Sequence, residues 1–346
     1  MNISMIMKSL LSSIYDASGI VDSLIRHLST NNYLILMYHR VIPFKAAIPG
    51  MQAGMYVEPE TFYMQLLYLK KYFRIIPFPE IITYLNNQSY EKGNKPTCII
   101  TFDDGWYDFY KYAYPILKTQ KVPATVFLPT KYIGTEDIFW TDQLAYLIEK
   151  DINTNNYNKL IENKNTGNLD VMEIIGQWEG TIDSKIERAI FLLKKYRVED
   201  IKVILEKYKK KLGLDSMPTE RAFLKWGEVE EMKKSGFINF GSHTHNHKML
   251  TYLDDQEIMD ELVQSKNRLI SEKVVESTFI PFSYPNGNYD ERVVDMVRVA
   301  GYHSAATTEM GWNHRNMPLY RLNRVAIHQD ISSNKEMFGC KICNLI

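Results

Sequence analysis

The chain has 346 residues, enough for one large α/β core with an appended helical part, and its 41 Lys+Arg balance its 41 Asp+Glu. That neutrality excludes the electrostatic footprint of a nucleic-acid binder and argues for a small or uncharged partner. No apolar run is long enough to span a bilayer, and three cysteines, Cys98, Cys340 and Cys343, are too few and too irregular for a disulfide scaffold.

Met1 to Tyr15 carries one lysine, with neither a continuous apolar stretch nor an Ala-x-Ala site, so a cytoplasmic protein is expected. Leu10, Ile14, Val21, Leu24, Ile25 and Leu28 fall at near-helical intervals broken at Gly19. Residues 1–31 therefore read as a helical segment outside the main core, able to rest on a membrane surface. Tyr33 to Tyr38 is a buried strand ending at His39, and a loop with Pro43, Pro49, Gly50 and Gly54 follows. Pro59 opens a helix with Phe62, Leu66, Leu69 and Phe73 on one face, then come a strand at Arg74 to Pro77, a short helix at Pro79 to Leu85 and polar punctuation from Asn86 to Pro96.

The β-branched run Ile99-Ile100-Thr101 leads through Phe102 into Asp103-Asp104-Gly105, a buried strand that delivers paired acids to a loop. Two adjacent buried carboxylates need a cation, strong donors or a shared proton. A helix at Trp106 to Thr119 and a strand at Ala124 to Leu128 continue the alternation expected of a parallel sheet wrapped by helices. From about Glu136 to Glu220 only helical or polar stretches occur, with helices predicted at Thr141 to Lys150, Ser184 to Tyr196 and Glu199 to Leu212, which reads as a helical insertion. The rhythm resumes with a helix at Glu228 to Lys234 and a strand at Ile238 to Phe240 that ends in Gly241-Ser242-His243-Thr244-His245-Asn246-His247. A helix at Asp254 to Ser271, a strand at Thr278 to Ser283, a helix at Asp290 to Ala300 and strands at His303 to Thr307 and Arg324 to Ile327 complete it. The main domain spans 32–330. Residues 331–346 read as a frayed tail, because Cys340-Lys341-Ile342-Cys343 is half a zinc knuckle without a second pair.

His243 and His247 are four apart, so a tight loop or a helical turn can aim both rings at one point. With one carboxylate they make a two-nitrogen, one-oxygen set for a divalent metal, leaving positions open for water and substrate. The other carboxylate then serves as a base, and spacing does not say which is which.

Thr101-Phe102-Asp103-Asp104-Gly105 together with His243 and His247 resembles the first two signature motifs of the polysaccharide deacetylase family, the NodB-homology domain of carbohydrate esterase family 4. Leu36 to Val41, Pro123 to Phe127 and Phe282 to Gly287 resemble a bacterial branch of it. The resemblance implies an α/β fold, a distorted (β/α) barrel of the NodB-homology type. It also implies a hydrolase that removes N-acetyl groups from an acetamido sugar in bacterial surface-glycan metabolism, using a divalent metal that is usually Zn2+. By motif position Asp103 would be the base, Asp104, His243 and His247 the metal ligands, and the neighbourhood of Tyr284, Pro285 and Asn286 the oxyanion donor. His328 matches the histidine that protonates the leaving amine, with His245 and His39 as alternatives. Many members carry an arginine where this chain has Ser283-Tyr284-Pro285-Asn286-Gly287, which leaves Arg321 and Arg324 as candidates to brace the base. An O-acetyl esterase on the same fold and a catalytically silent glycan-binding protein are the competing readings.

Overall fold

The structure, a computed structural model, describes residues 3–28, 31–44, 53–86, 95–153, 179–194, 196–215, 217 and 221–346. The loop read around Pro49 and Gly50, the polar run at 87–94 and most of the linker after residue 153 lie outside them. The chain divides into two compact units, one of Met1–Pro43, Ala53–Glu136 and Ala222–Ile346 and one of Phe44–Gln52 and Asp137–Arg221.

The first unit is built on a curled, mainly parallel sheet. Its strands are β1 (Asn32–Tyr38), β4 (Arg74–Ile75), β5 (Thr97–Phe102), β6 (Ala124–Leu128), β7 (Ile238–Ser242), β8 (Pro281–Ser283), β9 (Ser304–Ala306), β10 (Asn313–His314) and β11 (Val325–Ala326), while β2 (Arg40–Val41) and β3 (Tyr56–Val57) pair separately. The order runs β10-β1-β5-β6-β7-β8-β9, with β4 on β5 and β11 on β1. Among the described strands of this sheet only β10 is antiparallel to its neighbour. The stretch before β11 joins the two ends of the curl: Leu322 pairs with Ala306 of β9, and Val325 with Leu36 of β1. This is the mixed α/β, distorted-barrel architecture expected from the motifs.

β1 and β5 read as continuous apolar runs because both faces of the sheet are covered. On the inner face Tyr33, Ile35, Ile99, Phe127, Ala306 and Leu322 pack with Phe78 and Ile81. On the outer face Phe102 meets Tyr38, Phe62 and Phe109 with ring centroids 4.7 to 5.6 Å apart. Burying each such ring stabilises the fold by about 1.5–3 kcal/mol. The expected helix at Trp106 to Thr119 is a π-helical turn, Phe109–Ala113, followed by an α-helix, Tyr114–Gln120. Pro115 explains the change, since it has no N–H to return to the preceding turn.

The last residues correct an expectation. The stretch read as a frayed tail forms a helix, Lys335–Ile342, capped by Asn334, whose side chain accepts from Met337 N–H. Met337, Phe338, Cys340 and Ile342 are buried, Cys340 Sγ lies on the carbonyl of Ser12, and Gly339 sits against Tyr68 and Val21. The N-terminal helices, Ile3–Ala17 and Ile20–Leu28, thus cover this helix instead of standing apart. Ile6, Met7, Leu10, Leu11 and Ile14 remain exposed on the first of them. Among the described residues no helix is long and apolar enough to cross a membrane.

The second unit holds helices Trp140–Asn153, Ile182–Leu193 and Val198–Lys211, close to the predicted segments. Leu144, Leu147, Ile148, Ile186, Ala189, Leu193, Ile201 and Leu205 form its own core, and Tyr208 Oη donates to buried Asp151.

Candidate active site and metal centre

The candidate residues gather at the C-terminal ends of the parallel strands, the end where α/β sheets place ligands. Along β5, Ile99, Thr101 and Asp103 share one face by strand alternation, which turns Asp103 into the curl of the sheet. Continued alternation would send Asp104 to the other face. Instead Asp104 (φ 74°) and Gly105 (φ 64°) adopt left-handed backbone and reverse the chain. Gly105 is required twice over, since a Cβ there would also meet Leu128 at 2.8 Å.

The reversal brings Asp104 to the histidine loop after β7. Asp104 Oδ1 lies 3.2 Å from His247 Nε2 and 3.6 Å from His243 Nε2. The three side chains offer ligand atoms within 4.8 Å of one another, a set that fits a divalent metal with open positions. Burial works against the charge of Asp104, but the hydrogen bond and charge of His247 hold its carboxyl well below the usual range. Burial pushes the His243 pKa down to about 4. Its Nδ1 donates to the Ser283 carbonyl at 2.8 Å, which fixes the tautomer and leaves Nε2 a lone pair for a metal.

Left-handed backbone at Thr244 (φ 65°) and His247 (φ 58°) folds the loop between the ligands. A buried carboxylate is one of the groups that hold it. Glu261 Oε2 accepts the backbone N–H groups of His245 (3.0 Å) and Asn246 (2.7 Å), and Oε1 accepts Asn246 Nδ2 (2.7 Å). His245 itself turns aside, with Nδ1 3.0 Å from Thr130 Oγ1.

Asp103 has a different partner. Arg324, fully buried, donates from Nη1 to Oδ1 at 2.7 Å and from Nη2 to Oδ2 at 2.8 Å. The guanidinium is fixed in turn: Nε donates to the Thr307 carbonyl (2.7 Å) and Nη2 to Ser283 Oγ (2.9 Å). Burial opposes ionisation of Asp103, and the charge of Arg324 outweighs it, so the carboxyl stays below its usual range. Of the two brace candidates, Arg324 is therefore the one at the carboxylate, while Arg321 pairs with Glu291 at the surface. Ser283, standing where family members often carry arginine, is part of the same network.

The remaining candidates divide. Tyr284 is buried, its N–H donates to the Ala306 carbonyl and its hydroxyl to that of Tyr320, so neither group is aimed at an oxyanion. Pro285 has no N–H. Asn286 takes up left-handed backbone (φ 53°) in the turn that follows. His328 Nδ1 hydrogen-bonds Asp330, which leaves Nε2 as the ring nitrogen outside that bond. His39, at the end of β1, lies close enough for its charge to act on both Asp103 and Asp104. Glu261 and Asp330 were not anticipated from sequence. Asp330, two residues beyond a candidate histidine, carried a usable signal; Glu261, one acid among many on a helix, carried none.

A polysaccharide deacetylase family model matches residues 90–160 and 179–305, more than half of the chain. YxkH, a polysaccharide deacetylase homologue of Bacillus subtilis (strain 168), is 33% identical over 115 residues, and the match spans 33% of this chain and 39% of that relative's length. Among solved structures, the Streptococcus pyogenes deacetylase PplD in complex with acetate superposes with a TM-score of 0.54 at 21% identity, covering 87% of this chain and 94% of its own. BC0361, a polysaccharide deacetylase from Bacillus cereus, gives 0.54 at 18%, covering 90% and 69%. At these identities the superpositions speak for the fold alone.

Proposed function

The chain belongs to the polysaccharide deacetylase family, and from that premise we propose that it is a metal-dependent hydrolase removing N-acetyl groups from an acetamido sugar of a bacterial surface glycan or its precursor. The observation that carries the reading is the split between adjacent carboxylates: Asp104 faces two imidazole nitrogens, and Asp103 is clamped by Arg324 beside them. Asp104, His243 and His247 would hold the metal, most simply Zn2+ given two nitrogens and one oxygen. Such an ion supplies a water of lowered pKa and polarises the acyl carbonyl.

The chain's own groups account for the proton movements. Asp103, held in place by two guanidinium N–H bonds, accepts the proton of the attacking water. By the resemblance of its third motif, a backbone N–H in the neighbourhood of Asn286 would donate to the oxygen as it gains charge. His328, its Nδ1 tied to Asp330, gives the Nε2 proton to the sugar nitrogen as the C–N bond breaks, and acetate and a free amine leave. An amine leaves poorly without that proton, so the histidine–aspartate pair favours amide over ester substrates.

Two further parts of the reading concern place. The three buried free thiols suit a reducing cytoplasm, and cell fractionation tests it; recovery with the envelope polymer would remove it. Ile6, Met7, Leu10, Leu11 and Ile14, exposed on the first helix, suit contact with a lipid surface. Sedimentation with phosphatidylglycerol vesicles checks this, and protein left wholly in the supernatant counts against it. The activity is tested by acetate release from N-acetylglucosamine oligomers and nucleotide- or lipid-linked acetamido sugars, with and without chelator. Turnover that survives complete metal removal would refute the mechanism.

A further inference from the structure

Asp104 has a second oxygen, and it has a partner of its own. Trp106 Nε1 donates to Asp104 Oδ2 at 3.1 Å, while Oδ1 faces the two histidines. The indole is held in that aim. It is 3% exposed, stacks on Phe223 with centroids 4.9 Å and planes 16° apart, and has the Arg40 guanidinium 4.4 Å from its centroid. Arg40 is anchored by buried Asp108 (Nε to Oδ2, 2.6 Å), whose other oxygen accepts the Val41 N–H at 3.2 Å. A backbone bridge between Trp106 and Phe223 fixes the base of the ring.

We propose that Trp106 is a positioning residue for the metal centre, its indole N–H holding Oδ2 so that Asp104 presents Oδ1 alone to the ion. The inference rests on the reading of Asp104 as a ligand. The choice of donor matters. A guanidinium at Oδ2 would neutralise the carboxylate, as Arg324 does at Asp103, and would compete with the ion. An indole N–H orients the group and leaves its negative charge for the metal, and it does not titrate. Arg40 and Asp108 serve the same end one step further out: they hold the ring, and their charges cancel each other.

Replacing a hydrogen-bond partner of a metal ligand costs 10–100-fold in affinity as a rule. Trp106→Phe keeps an aromatic ring against Phe223 and Arg40 but deletes the N–H. The full chain is titrated with Zn2+ against a chromophoric chelator, and the expected result is a Kd raised about 10–100-fold, with the thermal midpoint of the metal-free protein close to wild type and the acetate-release rate restored by excess zinc. Incorporation of β-(3-benzothienyl)alanine at position 106, which replaces the N–H by sulfur within a ring of full size, should weaken binding equally if Trp106→Phe folds poorly. An unchanged Kd in both variants, beside tight wild-type binding, overturns this inference alone. A wild-type chain that takes up no zinc overturns the metal reading and this inference with it.

Discussion

The two sides of the site differ in what neutralises their carboxylates. Asp104 meets two imidazole nitrogens, of His243 and His247, and the neutral indole N–H of Trp106. Asp103, its sequence neighbour and equally buried, meets a guanidinium that occupies both oxygens. The first arrangement keeps a negative charge on offer to a cation; the second supplies the cation permanently. Two identical residues thus acquire unlike chemistry from the strands that reach them, and the left-handed turn at Asp104 separates the two environments.

The contrast can be broken most severely at the Asp103 side. Arg324→Met leaves a buried carboxylate without its counter-charge, and the expected loss of stability is about 3–5 kcal/mol. Urea denaturation measures it; a loss below about 1 kcal/mol would mean that the clamp is not what keeps Asp103 ionised. Next comes the proposed proton donor: His328→Ala should lower amide cleavage about 10²-fold or more and spare cleavage of an O-acetyl ester. Equal losses on both substrates would remove His328 from the leaving-group role. On the Asp104 side, Glu261→Ala strands the N–H groups of His245 and Asn246, costing about 1–3 kcal/mol for an unsatisfied group and weakening zinc binding. Glu261→Gln, which keeps one acceptor oxygen, should recover most of both, and a Gln variant as weak as the Ala variant would assign the effect to charge instead of loop geometry.

The smallest effect expected is a pH dependence. The hydrogen bond from His328 lowers the pKa of Asp330 below its unfolded value. A depressed carboxyl contributes stability above its unfolded pKa and loses it as pH falls through the folded value. Asp330→Asn should therefore flatten the acid side of the stability profile below about pH 4, where free Asp titrates, by less than about 1 kcal/mol, since the pair is solvent-screened. A larger change, or one on the alkaline side, would contradict the pairing.

Legibility in the sequence followed the distance over which each group acts. β1 and β5 announce themselves as apolar runs, and Asp103, Asp104, His243 and His247 stand at strand ends, so the parallel sheet and the cluster of two acids and two histidines were legible, while the resemblance alone chose Asp104 over Asp103 as the candidate ligand. The brace could be narrowed only to Arg321 or Arg324. Arg324 acts on Asp103 across 221 positions, and only the closure of Leu322 to Ala326 onto both edges of the sheet brings it there. The same holds for the helix Lys335–Ile342: its modest apolar content gives it no pattern of its own, and it is ordered by Val21 and Tyr68 from far upstream. Tyr284 shows the converse, a residue inside a recognisable motif whose polar groups the sheet consumes.

Metal content and rate measured together on two variants test the division of labour most directly. Asp103→Asn should retain zinc at wild-type stoichiometry while acetate release falls about 10²–10⁴-fold, the span of a lost general base; His243→Ala should lose zinc and rate together. An Asp103→Asn protein that no longer holds zinc, beside a His243→Ala protein that does, would contradict the assignment.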